Sequence, residues 1–269
     1  MNFKHIILEK RGPVAKLTLN RPKAVNALNI EMSDEIKSAI EKIKGDEEVR
    51  ILVLAGAGGN FSAGDDISEF DDWGDVSGVV DRIRSYQWTS NEIENLDKIT
   101  IAAVDGHACG GGLELTMVCD FVIATERARF GIPEIDIGIT PGWGGTQRLA
   151  RLVGRRKVKE MIFTGMLIDA REAERLNLIN KVVPVDKLDE AVNDLVDLLL
   201  SKSPLILKMG KLIINKGIEA DLNTALTFEA LSTTICWQTD AKREGCHSFL
   251  EKREPWMRAR EVVQEYFGK

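Results

Sequence analysis

The sequence predicts an α/β core followed by an all-helical C-terminal region. Three observations carry that expectation. Short apolar, β-branched runs bounded by glycine recur through the first two thirds of the chain, as in buried strands. Segments of helical period separate them, which is the pattern of crossover helices on a parallel sheet. After about residue 183 the strand-like runs stop and only helical periodicity remains.

In chain order, FKHIILEK and VAKLTLN read as two strands joined by an RGP turn. Met32, Ile36, Ile40 and Ile43 recur at helical spacing within IEMSDEIKSAIEKIKGD. RILVLAG (50–56) and ITIAAVDG are continuous apolar runs, expected as buried strands, and DFVIATERARFG reads as one or two more. DDWGDVSG (71–78) is acidic and glycine-containing and reads as a mobile loop. Beyond KVVPVDKL, four segments of helical period are separated by turn signals at Ser203-Pro204, Gly217 and Thr239-Asp240. The expected division is a core over 1–200 and a helical region over 201–269. No solenoid-length repeat or low-complexity stretch interrupts it.

Composition narrows the function classes. The 269 residues are 44% hydrophobic and 29% charged, enough for a substantial core. A net charge of −6 argues against binding nucleic acid or an anionic membrane surface, both of which demand a basic face. It leaves room for an anionic small ligand held by a few local cations. No run reaches the roughly 18 apolar residues of a membrane span. The four cysteines, Cys109, Cys119, Cys236 and Cys246, form no CxxC pair, and no leader-like segment precedes them. Free thiols in a cytoplasmic protein are expected.

Familiar motifs fail one by one. GAGGNF (56–61) follows a strand but ends in Phe61 where a dinucleotide fingerprint needs glycine, and no phosphate-binding GxxxxGK[ST] or nucleophile-elbow GxSxG is present. His5, His107 and His247 lack metal-ligand spacing, so no metal is expected. Two glycine-bearing turns remain, FSAGDDI (61–67) and HACGGGLEL (107–115), each after a strand, where α/β folds bind ligands. The first N–H groups of a helix have no internal partner. Gly110 to Gly112 therefore either offer a donor to an oxygen that becomes negative during a reaction, worth about 3 kcal/mol of barrier, or merely permit tight turns.

Glu114 opens an apolar helix, flanked by Leu113, Leu115, Met117 and Val118. A buried carboxylate costs several kcal/mol unless it has partners or a task. Glu134, in FGIPEIDIGITPGWGGTQRL, has similar neighbours. Two carboxyls in apolar surroundings can divide acid from base work, but spacing alone does not bring them together.

FSAGDDI, DGHACGGGLEL, CDFVIAT, ARFGIPEIDIGITPGWGGTQRLARLVG, DAREAERLNLINKVVP and FLEKRE occur in the order found in the crotonase (enoyl-CoA hydratase/isomerase) superfamily, which this chain resembles over nearly its whole length. The resemblance implies a spiral of ββα units, with a C-terminal helical region that packs subunits into a homotrimer or a hexamer made of two trimers. It implies that the Asp65 and Gly111 N–H groups bind a thioester oxygen, that Glu114 and Glu134 are the acid/base pair, and that Gly142 helps hold the attacking water. It places adenine near Ala63, Asp66 and Ile67, CoA phosphates near Lys252 and Lys23, and Phe249 along the CoA site.

Because the superfamily shares its oxyanion hole and varies these side chains by reaction, two glutamates favour hydration of an acyl-CoA thioester, with coenzyme A as part of the substrate and no separate cofactor. Hydration of a cyclic dienoyl-CoA, or enoyl isomerisation, is the alternative. A binding role toward RNA or a partner protein fits the acidic charge and the intact glutamates less well. Two departures stand out. Asp65 brings a carboxylate to a donor position that usually holds a small residue. Trp143 stands where a small residue is frequent. Segment 71–88, with Trp73, Tyr86 and Trp88, is expected to set acyl specificity unless its aromatics are core or subunit contacts.

Overall fold

The computed structural model describes residues 3–255. The strands β1 (Ile6–Arg11) and β2 (Val14–Leu19) form the expected antiparallel hairpin, with Ile6 opposite Leu19 and Arg11 opposite Val14. After α1 (Ile30–Gly45) the chain enters β3 (Ile51–Gly56), which lies parallel to β2. All four periodic residues of α1 (Met32, Ile36, Ile40 and Ile43) are buried, and Asn29 caps the helix through the Met32 N–H. Helix α2 (Val76–Glu94) leads to β4 (Ile99–Val104), parallel to β3. Then come β5 (His107–Cys109), α3 (Gly111–Met117), β6 (Phe121–Thr125) and β7 (Arg129–Gly131).

The chain continues through α4 (Gly145–Val153), α5 (Arg155–Thr164), β8 (Leu167–Asp169), α6 (Ala170–Arg175) and β9 (Lys181–Val183). Helices α7 (Leu188–Leu200), α8 (Pro204–Gly217), α9 (Leu222–Trp237) and α10 (Asp240–Leu250) complete the described chain. The strands form a six-stranded sheet in the order β1-β2-β3-β4-β6-β9 and a three-stranded sheet in the order β5-β7-β8.

Burial on both faces explains the unbroken apolar runs. In β3, Leu52 and Leu54 enter one core with α1, while Ile51, Val53 and Ala55 enter a second core closed by Val192, Val196 and Leu199 of α7. Helix α8 is anchored to the sheet by a buried ion pair, Lys211 Nζ to Asp120 Oδ2 at 2.8 Å, with Lys211 also donating to the Lys98 carbonyl at 3.0 Å. Residues 256–269 of the expected C-terminal region lie outside the described residues.

The expected mobile loop at 71–78 is instead structured. Residues 67–73 form a 3-10 turn, and Asp75 starts α2 by accepting the N–H groups of Ser77 and Gly78. The acidic composition that reads as loop is, in part, a helix cap.

Candidate active site

Two backbone ladders bring the glycine turns together. Ser62 and Ala108 form a parallel bridge, with Ser62 N–H donating to His107 O at 2.8 Å and Cys109 N–H donating to Ser62 O at 2.9 Å. Leu28 N–H donates to Gly64 O at 2.8 Å, and Asp66 N–H donates to Leu28 O at 3.0 Å. Asp65, between them, makes no such backbone bond through its own N–H. Gly111 begins α3, so its N–H has no helical partner. A Cβ built on Gly64 would stand 3.4 Å from Gly111 N and 3.0 Å from the Cys109 carbonyl, and its φ is +98. A glycine there lets the two turns touch.

Glu114 is 1% exposed. Its Oε1 accepts the Gly145 N–H at 2.5 Å, and its Oε2 is buried without a partner. Burial pushes its pKa up to about 8, held back by the Gly145 N–H and raised further by Glu134 and Asp65. Glu134 is half-buried on the 3-10 turn Pro133–Ile137 that follows β7. Burial pushes it up to about 7, and its Oε2 is likewise buried without a partner. A Cβ on Gly110 would lie 3.1 Å from Glu134 Oε1, and one on Gly145 2.7 Å from Glu114 Oε1. The two glutamates, twenty positions apart in sequence (134 − 114), therefore flank the start of α3. A buried carboxylate oxygen that lacks a donor is rare in a folded protein and marks a place where a polar ligand belongs.

The Asp65 carboxyl also gains a partner. Trp143 Nε1 donates to Oδ1 at 3.0 Å and to Oδ2 at 3.2 Å. Trp143 is 1% exposed and stacks on Tyr86 with ring centroids 4.2 Å apart. Tyr86 meets Trp73 edge-on at 5.7 Å. Trp88, by contrast, is an outward ring with Lys37 over its face at 4.6 Å. A Cβ on Gly111 would fall 3.3 Å from Trp143 Nε1 and 3.5 Å from Asp65 Oδ1, so the indole stands beside the glycine turn. Among the described residues, no set of three or more His, Cys, Asp or Glu is placed to hold a metal ion.

Gly142 sits next to this wall. Its carbonyl accepts Gln87 Nε2 at 3.1 Å, and a Cβ on it would overlap Ile83 Cδ1 at 2.4 Å. The N–H that holds Glu114 is that of Gly145, which sequence reasoning missed. The available signal was a glycine pair opening a helix in GWGGTQRL.

The remaining candidates divide. Lys23, Ala63, Asp66 and Ile67 lie along one edge: Ala63 N–H donates to Val25 O at 2.9 Å, and Asp66 pairs with Arg21 at 2.9 Å. Arg21 was not foreseen. Ile67 is 60% exposed, and Lys23 and Ala63 are exposed beside it. Phe249 is 83% exposed on α10, and Lys252 is exposed just beyond it with φ +53.

A family model described as enoyl-CoA hydratase/isomerase matches residues 9–259. The chain is 43% identical over 259 residues to a short-chain-enoyl-CoA hydratase of Clostridium acetobutylicum, covering 94% of this chain and 97% of that one. It is 41% identical over 263 residues to a crotonyl-CoA hydratase of Syntrophomonas wolfei, covering 94% and 98%. Among solved structures, the enoyl-CoA hydratase of Mycobacterium smegmatis superposes with a TM-score of 0.92 at 31% identity, over 95% of this chain and 100% of that one. That of Bacillus anthracis superposes with a TM-score of 0.88 at 35% identity, over 94% and 98%. The α/β architecture with C-terminal helices is thus the fold of those proteins.

Proposed function

The chain belongs to the enoyl-CoA hydratase/isomerase family and is an enoyl-CoA hydratase; we propose how its site adds water reversibly across the 2,3 double bond of an enoyl-CoA thioester. The Asp65 and Gly111 N–H groups receive the thioester oxygen and stabilise the charge it gains. Glu114, oriented by Gly145, takes a proton from a water whose oxygen bonds to C3. Glu134 delivers a proton to C2 as the enolate collapses. One proton is taken and one returned, so the product is a 3-hydroxyacyl-CoA and the enzyme is restored after the two glutamates re-equilibrate. The observation that carries this reading is the pair of unpartnered, buried carboxylate oxygens, one on each glutamate, beside the glycine turn.

A short acyl group is the substrate class this site favours. Trp143 stands against Gly111, braced by Tyr86, and so large a ring beside the glycine turn favours a small acyl group. The names of the two relatives above point the same way.

The exposed edge at Lys23, Ala63, Asp66 and Ile67 suits a nucleotide portion, with Lys23 free to meet phosphate. Phe249 and Lys252, both exposed, would add an apolar ring and a cation to the CoA contacts. Ile214, Ile218, Leu222, Leu231 and Trp237 on and beside α8 and α9 are each more than half exposed. Such an apolar face supports a trimer, or two trimers paired. No helix among the described residues is long and apolar enough to cross a membrane.

The test is a panel of crotonyl-CoA, longer 2-enoyl-CoA and cyclic dienoyl-CoA esters, followed by ultraviolet loss of the conjugated thioester. Turnover best at four carbons supports the reading. Turnover best with the cyclic ester redirects it to the ring-bearing class, and double-bond migration without hydration redirects it to isomerisation.

A further inference from the structure

Asp65 presents a conflict: its N–H faces a developing negative charge, and its side chain is itself an acid. Both of its carboxyl oxygens converge on one donor, the indole N–H of Trp143. No basic side chain bonds it among the described residues. Trp143 is in turn fixed by the Tyr86 stack and by Arg148, which donates to its carbonyl at 3.2 Å while paired with Glu94 at 2.7 Å. Two residues beyond Trp143, Gly145 supplies the N–H that holds Glu114. The backbone of Asp65 thus lines the oxyanion site, while its side chain grips the turn that orients the base.

The titratable groups around Asp65 come from three elements: Glu134 from the turn after β7, Glu114 from α3 and Tyr86 from α2. Arg82 lies over the Tyr86 ring at 5.9 Å rather than on Asp65. Like charges among these carboxyls oppose one another's ionisation, so the three titrate as a coupled set.

We propose that the Asp65 side chain is a positioning residue for hydration, holding the 143–145 turn through the Trp143 indole and, through its charge, keeping a proton on the Glu114–Glu134 pair. This rests on the hydratase reading above. The chemistry needs one glutamate ionised to accept the water proton and the other protonated to serve C2. Burial already raises Glu114, Glu134 and Asp65 into the neutral range. An ionised Asp65 raises Glu114 further, so removing that charge lowers Glu114 and eases its ionisation.

Asp65→Asn separates the two parts of the role. It retains an oxygen to accept the indole N–H and removes the charge. The expected result is a kcat–pH profile moved to lower pH by roughly one unit, with KM changed by less than about twofold. Asp65→Ala also frees the indole, and is expected to lower kcat roughly tenfold or more at every pH and to change the near-ultraviolet dichroism of the tryptophans.

A second readout does not depend on turnover. The tryptophan fluorescence of the unliganded protein is expected to titrate near the raised Asp65 value of about 7, and to lose that step in Asp65→Asn and in Trp143→Phe. If the wild type hydrates no enoyl-CoA ester, the functional reading fails while the fluorescence step still decides whether Asp65 ionises against Trp143. An Asp65→Asn profile superimposable on the wild type, or a fluorescence step that survives in both variants, overturns the proposal.

Discussion

Glu114 Oε1 accepts the Gly145 N–H at 2.5 Å, from a residue 31 positions downstream, and its Oε2 remains without a partner. One oxygen of the carboxylate is held by the fold, and the other has the freedom that the proposed base needs. Glu114→Gln preserves an acceptor for Gly145 and removes the proposed base. Turnover is expected to fall roughly 100- to 10,000-fold, with affinity for the CoA ester nearly unchanged. Glu134→Gln is expected to behave alike. Steady-state kinetics beside calorimetric binding of an unreactive acyl-CoA checks both, and near-normal kcat in either variant contradicts its role.

Gly145→Ala probes the holding bond directly. The added Cβ would stand 2.7 Å from Glu114 Oε1 and about as close to its stem, at 3.0 Å from Cδ and Cγ. Gly145 begins α4, where alanine is otherwise the better helix former. Activity is therefore expected to drop roughly 100-fold through the displaced carboxylate, while the far-ultraviolet dichroism stays that of the wild type. A variant that unfolds at room temperature contradicts this division.

The burial of Glu114 has a stability signature. Its folded pKa is raised from 4.5 to about 8, so the folded state binds this proton more tightly than the unfolded chain does. Its contribution is fully present below pH 4.5 and is lost as pH rises through about 8. Replacing it with glutamine removes that loss. The Tm of Glu114→Gln relative to wild type is expected to climb between pH 5 and pH 8.5, by the equivalent of roughly 4 kcal/mol. Calorimetric scans giving a pH-independent difference would rule out a neutral buried carboxyl.

Lys211→Met breaks the anchor of α8. Its partner Asp120 keeps the Thr100 N–H at 2.8 Å and the Thr100 hydroxyl at 3.0 Å but loses its cation. Leaving one member of a buried pair costs about 3–5 kcal/mol. The denaturation midpoint should fall accordingly, with hydrogen exchange rising first in α8. Double replacement with Asp120→Asn should recover part of the loss.

Trp143→Ala removes the wall beside Gly111. The expected outcome is a shift of the best substrate from a four-carbon enoyl-CoA toward longer chains, read as a reversal of the kcat/KM order across the ester panel. The unpaired Asp65 also lowers the maximal rate, so the order and not the height of the values is the measure.

Much of the fold was legible because it rests on local period. The apolar runs at 50–56 and 99–104 are strands since both sheet faces are covered, and α1 buries the residues its spacing marked. Helix α2 was not legible. The acids and glycines of 71–78 carry turn signals, and the cap that starts the helix depends on one Asp75 side chain meeting two N–H groups. Phe249 and Lys252 stand exposed at the end of α10, where helical period gives no information on what they face.

At the site the same boundary holds. The sequence by itself determined that two buried acids and two glycine turns had to be accounted for, because burial cost and helix-end donors follow from residue type and neighbours. Only the tertiary structure decided which groups meet. Gly145 reaches Glu114 across 31 positions and Trp143 reaches Asp65 across 78. Hydrogen bonds of about 3 Å between residues so far apart are set by how the two sheets and α3 and α4 pack, and nothing in the local pattern encodes them.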